Sequence, residues 1–352
     1  MNIDRSVSRR IAIVRFIMIF GVVILHTPPS SSLGAGAGWF HVVQLFLQNA
    51  VFRTTVPVLT FISAYLLFAG DLDRDVAHLY KKKFRTLVLP FAALNGIVLL
   101  GVYLAQCHAV SAVLYPIYLP GATGQQWADA AFGYMQMPIN YPLNFLRDSI
   151  MLIVLTPFFG LLLRNYPIIG LLFVIVFFMG DYDGIFILRN NMAIMFYLGG
   201  LFAVYRFNIN ILDDHAVACL ALFLALCAAV LLFDVKNLTW LGLIAPALIW
   251  PASRLIDTTC TGRWFANASK YTFFVYIAHA PLVAVSAKLY PTVQSVLPPA
   301  LYWAVTPIAV WAILVTVYKI AMALAPTPFG LMVACMPKQR GEGGPLALPV
   351  AA

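Results

Sequence analysis

"RFIMIFGVVILH", residues 15–26, sets a permanent cation at one end of an apolar run and a titratable imidazole at the other. With "IAIV" ahead of it, the run from residue 11 approaches the length of about 20 mainly apolar residues that crosses a bilayer. Arg15 and His26 are 11 positions apart. At 100° per residue that is three turns plus roughly 20°, so both side chains fall on one helix face, about 16 Å apart along the axis. A bland reading lets Arg15 snorkel to one interface and His26 mark the other. The alternative is one helix face with a cation at one depth and a proton acceptor further along.

The rest of the chain shares this character. Of 352 residues, 62% are hydrophobic and 10% charged, against about 25% charged in soluble domains. The apolar runs are spread over the whole length, which predicts an all-α polytopic membrane protein. Ten spans are expected, near 11–27, 42–69, 86–106, 142–163, 166–180, 192–205, 215–233, 238–253, 270–288 and 300–325. The fifth and sixth are short and flank "GDYDGIFILRNN", a hairpin read as re-entrant or tilted. The chain therefore divides into residues 1–10, a membrane domain over 11–325, and a disordered tail over 326–352.

The net charge of +9 comes mainly from short basic segments such as "DLDRDVAHLYKKKFR" and "SRLIDTTCTGRW". These alternate with loops poor in Lys and Arg, so both termini are expected in the cytoplasm. Without a basic stripe interleaved with aromatics, the charge does not point to nucleic acid. Five cysteines lack any CxxC spacing, so neither a disulfide framework nor a metal site is expected. "GAGAG" after the first span resembles a signal-peptide cleavage patch, but Arg15 interrupts the apolar run early and a retained first span is expected.

Ionisable groups inside membrane spans are costly, so each marks a candidate site. Arg53 lies within the second span, Arg147 and Asp148 at the start of the fourth, and His279 in the middle of the ninth with Tyr276 one turn back. Together with Arg15 and His26 they suggest a polar chamber at outer-to-middle depth. The loop 107–141, rich in aromatic residues, Pro, Gly and Gln, suits a lid that stacks on sugar rings, with Trp127 as a stacking residue. It equally suits an interfacial loop with its aromatic belt.

These segments resemble a known family. The Arg-ten residues-His spacing of Arg15 and His26 is similar to the first-helix signature of the acyltransferase-3 membrane proteins of bacteria. "FRTTVPVLTFISAYLL" resembles the family's second helix, with Ala64 where the family pattern has Gly; "KKKFRTLVLPF", "YPLNFLRD" and "YIAHAPLV" resemble its third, fourth and ninth. The resemblance spans about residues 10 to 325, most like the exopolysaccharide acetyltransferases. It implies a bacterial inner-membrane O-acetyltransferase moving acetyl from acetyl-CoA to a hydroxyl of a polysaccharide or lipid-linked oligosaccharide, among membrane lipids and without a metal.

In that reading the nucleotide sits at the inner mouth on Arg15, Lys81, Lys82, Lys83 and Arg85. The pantetheine arm threads the bundle, His26 is the general base, and Arg53 stabilises the oxyanion. Asp148 orients His26 or His279, or pairs with Arg147; Arg147, Trp127 and Tyr276 contact the acceptor. The competing reading is a transporter or flippase whose buried charges line a path for an anionic or lipid-linked sugar.

Overall fold

The computed structural model describes residues 4–29, 38–108, 116–181 and 189–334, and among these the regular structure is entirely helical. In chain order the helices are α1 (Arg5–His26), α2 (Trp39–Asn49), α3 (Thr55–Ala69), α4 (Val76–Lys83), α5 (Leu89–Cys107) and α6 (Gly124–Phe132). Then follow α7 (Asn144–Val154), α8 (Thr156–Asn165), α9 (Pro167–Met179), α10 (Asn190–Val204), α11 (Ala216–Leu232) and α12 (Thr239–Ala252). The last are α13 (Arg254–Asp257), α14 (Cys260–Ala268), α15 (Thr272–Val293), α16 (Pro299–Leu324) and α17 (Pro326–Met332).

Among the described residues, six continuous helical stretches are long and apolar enough to cross a membrane, or seven if the bent pair α7–α8 is one span. α1 is 22 residues long but carries Arg9, Arg10 and Arg15, and α9 and α10 are apolar but short. This is a multi-pass membrane architecture. The third and ninth spans run longer than their apolar cores suggest, as Val76–Cys107 and Cys260–Val293. The hairpin expected between α9 and α10 lies largely outside the described residues. The expected tail at 326–352 is corrected at its start, because residues 326–332 form α17. There Phe329 packs its ring on Phe274 and Tyr318, so apolar burial holds the segment.

Three breaks in the spans have a common cause in proline. Pro57 has no N–H for the carbonyl of Arg53 four residues back, and the chain between α2 and α3 winds as a 3-10 turn over Val51–Thr54. Pro90 likewise cannot donate to the carbonyl of Thr86, within the π-helical turn Phe84–Val88 that joins α4 to α5. Pro157, in the first turn of α8, accompanies the 56° bend from α7.

α1 is central, packed against α2, α3, α14, α15 and α16. Phe16 meets Phe265 at 4.6 Å and Trp311 at 4.9 Å between ring centroids. α3 and α10 are in very close contact: a Cβ added at Gly199 would stand 2.3 Å from the carbonyl oxygen of Phe61. Small residues allow such approach between membrane helices. At the end of the bundle where α1 begins, cations and acids pair. Buried Arg10 binds both carboxylate oxygens of Asp213, at 2.6 and 2.8 Å, and lies 4.4 Å over the Trp250 ring. Arg9 pairs with Asp257, Arg164 with Asp73, and Arg254 with Asp214.

Candidate active site

His26 is the last residue of α1 because Pro28 follows it closely. A residue before proline is driven out of the helical region, and Thr27 is extended at φ −71°, ψ 124°. The terminal carbonyls this exposes are taken by side chains: Thr27 Oγ1 donates to Val23, and Gln48 Nε2 of α2 donates to Ile24 at 2.8 Å and Thr27 at 2.7 Å. The end of the helix is thus tied in place, and with it the imidazole.

His279 is fully buried in α15. Its Nδ1 lies 2.8 Å from the carbonyl oxygen of Tyr276 and 3.1 Å from that of Val275. Carbonyl oxygens only accept, so in the neutral ring Nδ1 carries the proton and Nε2 is an acceptor. His26 Nδ1 stands 2.8 Å from that Nε2. It is therefore the N–H donor, which leaves Nε2 of His26 as the bare, basic nitrogen. The two rings stack at 5.1 Å, and Tyr141 meets His26 edge-on at 4.8 Å. A histidine here holds the tautomer of another histidine, a task commonly done by a carboxylate.

His26 opens on a chamber of about 470 Å³. Arg53, released from the helical ladder at the α2–α3 break, lines it, as do Asn144 of α7, Arg189 just before α10, and Asn191. Both guanidiniums line the same chamber as His26. The side-chain oxygen of Asn191 is buried with no hydrogen-bond partner among the described residues, a ready acceptor for a hydroxyl. Two smaller cavities continue the line. One, of about 40 Å³, holds Arg15 and shares Leu59, Phe145 and Tyr276 with the chamber. The next, of about 20 Å³, shares Ser63 with it and holds Lys83.

The structure thus brings His26, His279 and Arg53 together and sets Arg15 one cavity away. Of the basic run, Lys83 is buried and turned inward, Lys82 is half-buried, and Lys81 and Arg85 are exposed. Asp148 pairs with Arg147 at 2.8 Å, one of the three options open to it. Arg147 also donates to the carbonyl of Tyr134 at 3.4 Å, so this buried pair braces the segment that leads to Tyr141. Of the three residues expected to contact an acceptor, one lines the chamber and two do not. Arg147 and Trp127 lie outside the chamber lining, with Trp127 packed on Tyr103 in a separate small core. Tyr276 forms chamber wall, but its hydroxyl donates to the carbonyl of Pro142 at 2.5 Å.

Arg189, Asn144, Asn191 and Gln48 were not anticipated as site residues. For Arg189 the signal was present: an arginine beside two asparagines at the threshold of an apolar helix, "RNN" at 189–191. Gln48 offers no such signal, because its role depends on where α1 ends.

A chamber with a tautomer-locked histidine and fixed cations, inside a multi-pass helical bundle, has the parts that group transfer within a membrane needs. The acyltransferase-3 family model, described as an acyltransferase domain, matches residues 9–318, and the chain belongs to that family. It is an acyltransferase. It is 30% identical over 338 residues to the succinoglycan biosynthesis protein ExoH of Rhizobium meliloti (strain 1021), covering 92% of this chain and 91% of that protein. No solved structure matches the chain.

Proposed function

We propose that the protein moves an acetyl group from cytoplasmic acetyl-CoA through the helical bundle to a hydroxyl of an exopolysaccharide sugar, carried on a lipid at the outer face of the bacterial inner membrane. The likeness to a succinoglycan biosynthesis protein supports the polysaccharide acceptor. The topology that serves this reaction has ten crossings and both termini in the cytoplasm. It places Arg15 and Lys83 on the donor side and His26 toward the acceptor. The thioester arm travels the line of cavities, which requires the side chains of Leu59, Phe145 and Tyr276 to turn aside.

In the chamber, Nε2 of His26 takes the proton of the sugar hydroxyl as its oxygen attacks the thioester carbonyl. Arg53 faces the oxyanion that forms, where a fixed cation in a low-dielectric setting counts for most. Collapse breaks the C–S bond and releases CoA as thiolate, to which His26 returns the proton. The observation that carries this reading is the hydrogen bond from His26 to His279, which leaves a basic nitrogen at the chamber of the two arginines.

The test uses purified protein in vesicles with acetyl-CoA and an acceptor oligosaccharide. Wild type is expected to release CoA thiol and form an O-acetyl ester, and His26→Ala to lose both by about 10²- to 10⁴-fold, the usual worth of a general base. Sugar movement across the vesicle without thiol release would support the transporter instead.

A further inference from the structure

The chamber lining includes two guanidiniums and, among the described residues, no carboxylate. Several carboxylates of the described residues pair with other cations, namely Arg9, Arg10, Arg147, Arg164 and Arg254; among the described residues neither Arg53 nor Arg189 has one within salt-bridge distance. Acyl transfer sharpens the imbalance. When His26 holds the hydroxyl proton, the chamber carries three positive charges against a single oxyanion. One guanidinium is enough to face that oxyanion. Among the described residues the second has no counter-charge.

We propose that the chamber contains a subsite for a permanent carboxylate of the substrate, built on Arg189, with Arg53 left to the oxyanion. The inference rests on the acyl-transfer reading above. A guanidinium presents a planar fork that matches a carboxylate with two parallel hydrogen bonds, and Asn144 and Asn191 bring neutral amide donors to the same lining. Two substrates bring such a group to this depth. One is an acyl donor that is the monothioester of a dicarboxylic acid, its free carboxylate leading the arm into the chamber. The other is an acceptor with an acidic sugar next to the hydroxyl that is modified. The charge count is the same for both.

The experiment measures thiol release by full-length protein in vesicles with four pairings: acetyl-CoA or succinyl-CoA, each with a neutral or a glucuronate-bearing oligosaccharide. At least one pairing with a carboxylate is expected to exceed acetyl-CoA with the neutral acceptor in kcat/KM by about ten- to a hundred-fold, the scale of a charged hydrogen-bonded partner. Preference for succinyl-CoA with either acceptor assigns the carboxylate to the donor; preference for glucuronate with either donor assigns it to the acceptor. Arg189→Leu is expected to collapse the ratio, and Arg189→Lys, which keeps charge without the fork, to restore part of it. Equal use of all four pairings by wild type, or an equal loss in all four for both variants, overturns the subsite and leaves acyl transfer standing. No thiol release from any pairing sinks acyl transfer, and the subsite with it.

Discussion

Replacing His279 separates an oriented base from an imidazole that merely lies in the chamber. His279→Leu keeps an apolar side chain of similar bulk in a fully buried site but offers His26 Nδ1 no acceptor. The lost bond is 2.8 Å long and part-buried, and it is the contact that fixes which nitrogen of His26 carries the proton. Leaving a buried donor without its acceptor costs about 1–3 kcal/mol, or about 5- to 150-fold in rate at 1.36 kcal/mol per decade. If the ring also turns its protonated nitrogen to the chamber, the loss extends toward the 10⁴-fold that accompanies a wrong tautomer in the Ser-His-Asp enzymes. His279→Asn presents an amide oxygen near the same point and should retain several-fold more activity than His279→Leu. The assay is kcat for thiol release at saturating acetyl-CoA and acceptor, with KM for acetyl-CoA followed in parallel. The reasoning predicts a fall in kcat at nearly constant KM. His279→Leu turning over at the wild-type rate, or His279→Asn and His279→Leu being equally impaired, would refute it.

Other consequences are as direct. Lys83→Met is expected to raise KM for acetyl-CoA by about ten-fold or more, whereas Lys81→Gln, at an exposed position, changes it by less than about two-fold at physiological salt; titration of donor binding to the two variants checks this. Gln48→Leu strips the cap from the carbonyls of Ile24 and Thr27 and should lower stability by about 1–3 kcal/mol, read as a drop in the melting temperature of the purified protein. Gly199→Val places a branched side chain against the Phe61 carbonyl and should cost about 1–3 kcal/mol or more by overpacking, visible as reduced yield of folded protein. Asp213→Asn leaves the buried Arg10 guanidinium without its counter-charge, an effect of about 3–5 kcal/mol, measurable by thermal unfolding.

What could be read along the chain was whatever depends on near neighbours. The apolar runs fix helices because a bilayer leaves the backbone no partner but itself. The 11-residue interval fixes Arg15 and His26 on one face because helix geometry repeats locally. The break at Arg53, the end of α1 at Thr27 and the bend before α8 each follow from a proline whose neighbours are in plain view. The pairing of His26 with His279, 253 positions away, depends on how α1 and α15 pack, and no periodicity encodes that. The same holds for Arg189, carried into the chamber by the position of α10, for Gln48, which caps carbonyls 24 and 21 positions before it, and for Tyr276, which gives its hydroxyl to Pro142. Sequence set which side chains are expensive to bury in a membrane. Only the packed bundle decided which of them pay that cost against each other, as Arg147 and Asp148 do, and which are left facing an open chamber.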